Sequence, residues 1–228
     1  METEFIYWRH LTPAGIRVEE ITGAEDRSAA VWRQMAMQVF GENGEADYRD
    51  VGHYDSGAPF LFHEPERISI THTGHFLAVA SLPKTPDETF TGFSPRTALG
   101  VDAERLDREQ TLRVREKFLS ERELAMIPAD DLEANIKGWT AKEALYKAAL
   151  TPGIDFRENL RILELPPFGE PVALKGKPAP VFGRAEIEFP TAEEGESRVE
   201  PMLLYAYESE GCCVMLAFSP ETVRYKVR

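Results

Sequence analysis

The run Ala98-Leu99-Gly100-Val101-Asp102-Ala103-Glu104 sets two acids two residues apart in an otherwise apolar stretch. Short apolar runs of this kind read as strands. Residues i and i+2 of a strand share a face, so the carboxylates of Asp102 and Glu104 stand side by side. Paired carboxylates can converge on a hard cation whose shell is completed by phosphate and water oxygens, which is the coordination that Mg²⁺ prefers. In a chain with net charge −13, the same pair also suits a solvent-facing strand edge.

Downstream of this strand, the chain reads as helix and then as strands. Helices are expected near Gln110–Phe118 and from about Asp131 to Leu150. Ser120 followed by Glu123 has the spacing of a capping box for a short helix between them. In Trp139-Thr140-Ala141-Lys142-Glu143-Ala144-Leu145-Tyr146-Lys147-Ala148, residues Trp139, Glu143 and Lys147 follow at i, i+4 and i+8 and line one side of the helix. Glu143 can add a third carboxylate, and Lys147 can meet phosphate as a point charge; an ordinary Glu–Lys helix pair has the same spacing. Strands are expected at 161–165, 185–189, 202–207 and 212–218, with an exposed loop at 193–197.

Upstream, Ile68–Thr71 and Phe76–Leu82 flank His72-Thr73-Gly74-His75, the pattern of a β-hairpin with a short polar tip. Hydroxyls, turn amides and an imidazole at such a tip can hold an anion. Asp55–Pro59 is turn-rich, and Pro83–Pro95 reads as a surface connection. Phe5–Trp8 reads as a strand, and the spacing of Ala29, Trp32, Met35, Ala36, Val39 and Phe40 predicts a helix from about Glu25, stopped by Gly41. Each half therefore holds strands and a helix, so the expected class is α+β, with two similar lobes meeting near residue 97.

The 228 residues can bury a core without disulfides. The only two cysteines, Cys212 and Cys213, adjoin each other in an apolar run and read as core strand residues. No apolar stretch approaches membrane-spanning length, and no signal-like segment opens the sequence, so a cytoplasmic protein is expected. The acidic balance disfavours nucleic acid and anionic membranes as partners. It reverses locally between Arg105 and Lys117, where Arg105, Arg108, Arg113, Arg115 and Lys117 face only Asp107, Glu109 and Glu116.

Gly100–Glu104, Phe118-Leu119-Ser120-Glu121-Arg122-Glu123 and Trp139–Ala148, in this order and at these separations, closely resemble the signature of the 4′-phosphopantetheinyl transferase superfamily. Ser69-Ile70-Thr71-His72-Thr73-Gly74 is similar to the serine-histidine motif of its longer, two-lobed, surfactin-synthetase-activating type. Gly57-Ala58-Pro59 is similar to that type's Gly-Lys-Pro motif, with Ala58 at the lysine position. Arg49 and His53 are nearby cations that could replace that charge.

The resemblance implies a pseudo-dimer of two lobes, 1–97 and 98–228, with coenzyme A as co-substrate in the cleft between them. It implies Asp102, Glu104 and Glu143 as Mg²⁺ ligands, and Glu143 and Lys147 as the catalytic pair. Pro59, Thr71, His72, Lys142 and Lys147 are the implied coenzyme A contacts, with Thr71 and His72 on the adenosine-side phosphate. The implied reaction moves 4′-phosphopantetheine to a serine of an apo carrier protein, as in fatty acid biosynthesis, and releases 3′,5′-ADP. The proton acceptor is Glu143 or a metal-bound water. An acidic carrier would dock near Arg113, Arg115 and Lys117 on a monomeric enzyme. A silent relative that binds coenzyme A or a carrier without transfer is the alternative, and Ala58 is the feature in its favour.

Overall fold

The computed structural model describes residues 6–12, 14–23, 51–54, 57–61, 66–83, 93–169, 181–191 and 196–224. The helix expected from Glu25, Arg49, and the loops at 84–92 and 193–195 lie outside the described residues.

The first half forms a four-stranded antiparallel sheet in the order β1-β2-β6-β5. Its strands are β1 (Ile6–Leu11), β2 (Arg17–Thr22), β5 (Glu66–Thr73) and β6 (Phe76–Pro83). A small ribbon of β3 (Val51–His53) and β4 (Pro59–Leu61) accompanies it. The β5–β6 hairpin is tighter than expected. Its turn is Gly74-His75 alone, and His72 and Thr73 belong to β5, because Gly74 takes the left-handed backbone that so short a turn requires.

The second half forms a five-stranded antiparallel sheet in the order β7-β11-β10-β9-β8. Here β7 is Leu99–Arg105, β8 Leu160–Glu164, β9 Gly183–Pro190, β10 Ser197–Ser209 and β11 Cys212–Phe218. Between β7 and β8 lie α1 (Gln110–Val114), which tightens into a 3₁₀ turn at Arg115–Lys117, then α2 (Glu121–Met126) and α3 (Leu132–Ala149). A final turn, α4 (Pro220–Arg224), follows β11. None of the helices among the described residues is long and apolar enough to cross a membrane.

Alternation along β7 sorts its side chains onto two faces. Leu99, Val101 and Ala103 join Val214, Leu216 and Phe218 of β11 in a core shared with Ile16, Val18, Phe76, Ala78 and Ala80 of the first half. The other face of the sheet packs on α3, with Ala144, Leu145 and Ala148 against Met215, Ala217 and Leu204. Gly100 lies on this helix side. A Cβ there would sit 1.9 Å from the Ala144 carbonyl oxygen and 2.8 Å from the Ala148 amide, so glycine is what lets helix and strand touch.

The strand β2 has no counterpart in the sequence reading because Glu19 and Glu20 interrupt its apolar pattern. Both are buried. Glu20 is accommodated by hydrogen bonds from Tyr207 (2.5 Å) and Ser209 (2.7 Å) of β10, which join the two sheets. Cys212 and Cys213 are free and buried, as expected of core strand residues, and burial pushes both thiols up to about 12. Thiolate chemistry at neutral pH is thereby suppressed.

Candidate active site

Two caps fix the helices that carry the site. Asp131 accepts the Ala134 amide (2.9 Å) at the start of α3, and Leu150 closes that helix in a left-handed conformation. The capping box at α2 forms as its spacing predicts, with Ser120 and Glu123 bonded reciprocally.

Asp102 and Glu104 are both buried on the α3 side of β7. Asp102 Oδ1 accepts from the Thr71 hydroxyl (2.9 Å) and the Lys147 ammonium (2.7 Å). Lys147 also donates to the Val101 carbonyl (3.0 Å). Glu104 Oε1 accepts from the Trp139 indole (2.8 Å) and is ion-paired with the Arg108 guanidinium. The opposite oxygens, Asp102 Oδ2 and Glu104 Oε2, are buried and accept no hydrogen bond. An unsatisfied buried carboxylate oxygen is costly, and a ligand is one explanation for two of them on one face.

Glu143 stands half-buried on α3. Burial raises its carboxyl to about 7, reinforced by repulsion from Asp102 and Glu104 and opposed by Lys147 and Arg108. The Glu104 carboxyl is likewise raised, chiefly by burial. This arrangement is short of positive charge, and a hard divalent cation is the group its all-oxygen donors suit. Among the described residues, no three acidic, imidazole or thiol groups are already gathered at ligand spacing. Lys147 and Arg108 are the charges now holding two of the acids.

Glu143 and Lys147 line a cleft of about 260 Å³ together with Tyr146, Leu150, Thr151 and Pro152 from the end of α3. Its opposite wall is Gly57, Ala58, Pro59 and Ile68–Ile70. The turn expected to be similar to a Gly-Lys-Pro motif thus meets the end of α3, with Ala58 on the wall. His53 is exposed on β3 and is not among the lining residues.

Three expected coenzyme A contacts, Thr71, His72 and Lys142, are not among the residues lining the cleft. Lys142 is fully buried, paired with Glu123 (2.8 Å) and donating to the Phe156 carbonyl (2.7 Å) and the Leu160 carbonyl. Neighbours on a helix point about 100° apart, so a residue next to Glu143 turns away from the cleft. Thr71 is buried against β7, whereas His72 is exposed on β5. Of the expected docking cations, Arg113 and Lys117 are exposed. Arg115 is half-buried and donates to the Ile127 and Leu124 carbonyls, holding the end of α2. Arg108 escaped the sequence reading as a site residue, since only the turn after β7 brings it back onto Glu104.

Residues 98–180 match the family model of the 4′-phosphopantetheinyl transferase superfamily. This segment is a phosphopantetheinyl transferase superfamily domain. It runs from β7 through α3 and β8 and contains Asp102, Glu104, Glu143 and Lys147. Phosphopantetheinyl transfer is the activity that membership suggests. No curated protein matches the chain.

Proposed function

We propose that the protein is a Mg²⁺-dependent 4′-phosphopantetheinyl transferase of the two-lobed type, acting from coenzyme A on a serine of an apo acyl or peptidyl carrier protein. The observation that carries this reading is the pair of unpartnered buried oxygens, Asp102 Oδ2 and Glu104 Oε2, beside a cleft lined by Glu143 and Lys147 within the matched domain. In this reading the lobes are 1–97 and 98–228, related as a pseudo-dimer, and coenzyme A occupies the cleft between them. The enzyme would work as a cytoplasmic monomer.

Asp102, Glu104 and Glu143 would hold the Mg²⁺, which supplies charge neutralisation on the pyrophosphate. Lys147 adds positive charge beside the breaking bond, and Pro59 and His72 contact coenzyme A. The carrier serine oxygen forms a bond to the phosphorus bearing the pantetheine arm, and the bond from that phosphorus to the bridging oxygen breaks. The electron pair leaves with 3′,5′-ADP, and the serine proton passes to the Glu143 carboxylate. Catalysis is otherwise positioning and electrostatic stabilisation, as in other phosphoryl transfers. Exposed Arg113 and Lys117 offer an acidic carrier a complementary patch.

The deciding experiment is intact-mass spectrometry of an apo carrier incubated with the protein, coenzyme A and Mg²⁺. A gain of one phosphopantetheine is expected, absent with EDTA or with Glu143→Ala. The second reading, a silent binder of coenzyme A or carrier, is favoured by uncharged Ala58 on the cleft wall. It would be adopted if several carrier classes gained no mass although coenzyme A bound.

A further inference from the structure

We propose that Thr71 is a positioning residue for Asp102, and that its hydroxyl is not a phosphate ligand. This rests on the reading of Asp102 as a cation ligand. A threonine hydroxyl has one proton to donate and lone pairs to accept with. Here the proton goes to Asp102 Oδ1 at 2.9 Å, and the oxygen accepts the Ala103 amide at 3.2 Å. Nothing remains to donate to a phosphate. Thr71 is only 4% exposed and is not among the residues lining the cleft, although its neighbours Ser69 and Ile70 are.

The same contact has a structural logic. β7 is the edge strand of its sheet. The amides of Val101 and Ala103 donate to the hydroxyls of Ser69 (2.9 Å) and Thr71, two residues apart on β5. Two side chains thus stitch the first sheet to the strand that carries the acids, one stitch on either side of Asp102 along the chain. Only the Thr71 stitch also reaches the carboxylate. With Lys147 on the same Oδ1, Oδ2 is left as the oxygen without a partner. A hydrogen-bond partner of this kind orients a ligand and tunes its affinity for metal.

The test is Mn²⁺ binding to the full chain, followed by electron paramagnetic resonance with saturating coenzyme A. Thr71→Val is expected to weaken Mn²⁺ roughly 10-fold or more, in the range seen when a ligand's supporting partner is removed. Thr71→Ser, which keeps the hydroxyl, should restore it. Preference for coenzyme A over 3′-dephospho-coenzyme A should survive in Thr71→Val. Circular dichroism melts accompany each variant, and Thr71→Ala replaces Thr71→Val if valine does not fold.

A folded Thr71→Val with wild-type Mn²⁺ affinity, or with its 3′-phosphate preference erased, overturns the proposal. A folded wild-type protein that binds no Mn²⁺ overturns the cation reading beneath it as well. Mn²⁺ binding in the wild type, with Thr71→Val unaltered, overturns this proposal alone.

Discussion

At the scale of single residues, Glu143 and its neighbour Lys142 make opposite bets on burial. The Glu143 carboxyl titrates near 7 instead of its ordinary 4.5. In the cation-free protein, the protonated form is therefore favoured by folding. Relative stability is full below about 4.5 and is lost as pH rises through about 7. Urea melts in EDTA should show this decline between those values, and Glu143→Gln should flatten it while abolishing transfer. Burial lowers the Lys142 ammonium below its ordinary range, and the Glu123 carboxylate and two carbonyls oppose that loss of charge. Lys142→Met strands the Glu123 carboxylate and should cost on the order of 3–5 kcal/mol, read from denaturant melts. The folded fraction should retain its KM for coenzyme A. A raised KM would return Lys142 to the cleft, where the family resemblance had it.

At the scale of elements, the decisive contact is between α3 and β7, since it sets the height of Glu143 and Lys147 above Asp102 and Glu104. Gly100→Ala would push a methyl group into the backbone of α3 and should cost on the order of 3 kcal/mol by overpacking. Carrier modification should fall further than stability explains, because the two halves of the site separate; activity and melting temperature measured on the same preparation test this. Period-two and period-3.6 patterns made β7, α3, β11 and the α2 capping box legible in the sequence, as they did the shared face of Asp102 and Glu104. β2 was hidden because Tyr207 and Ser209, nearly two hundred residues away, are what make Glu20 tolerable inside a sheet. The ending of α1 at Val114 was equally hidden, since it follows from Arg115 turning inward to the Ile127 carbonyl. Helical phase alone already argued against Lys142 in the cleft. The contact of Arg108 with Glu104 has the i,i+4 spacing of a helix pair, but Glu104 lies on β7, so only the turn after the strand reveals it.

At the scale of the whole molecule, a strongly acidic protein offers a basic patch on the segment that follows its candidate metal strand. Arg113→Glu with Lys117→Glu should raise KM for an acidic carrier about 10-fold or more and leave KM for coenzyme A unchanged, with the difference shrinking in high salt. Arg115→Glu should instead lower the melting temperature, because that guanidinium holds the end of α2. Lys147 on Asp102 and Arg108 on Glu104 bear on a different matter, the order in which this protein is made and charged. Built-in counter-ions spare the newly folded chain any wait for metal, in contrast to small zinc domains that stay unfolded without it. Chelation should therefore silence the protein and leave its melting temperature within a few degrees, as scanning calorimetry with and without EDTA would record. In the proposed reading, a cell short of magnesium would then hold a folded stock of this protein, ready to work when the ion returned.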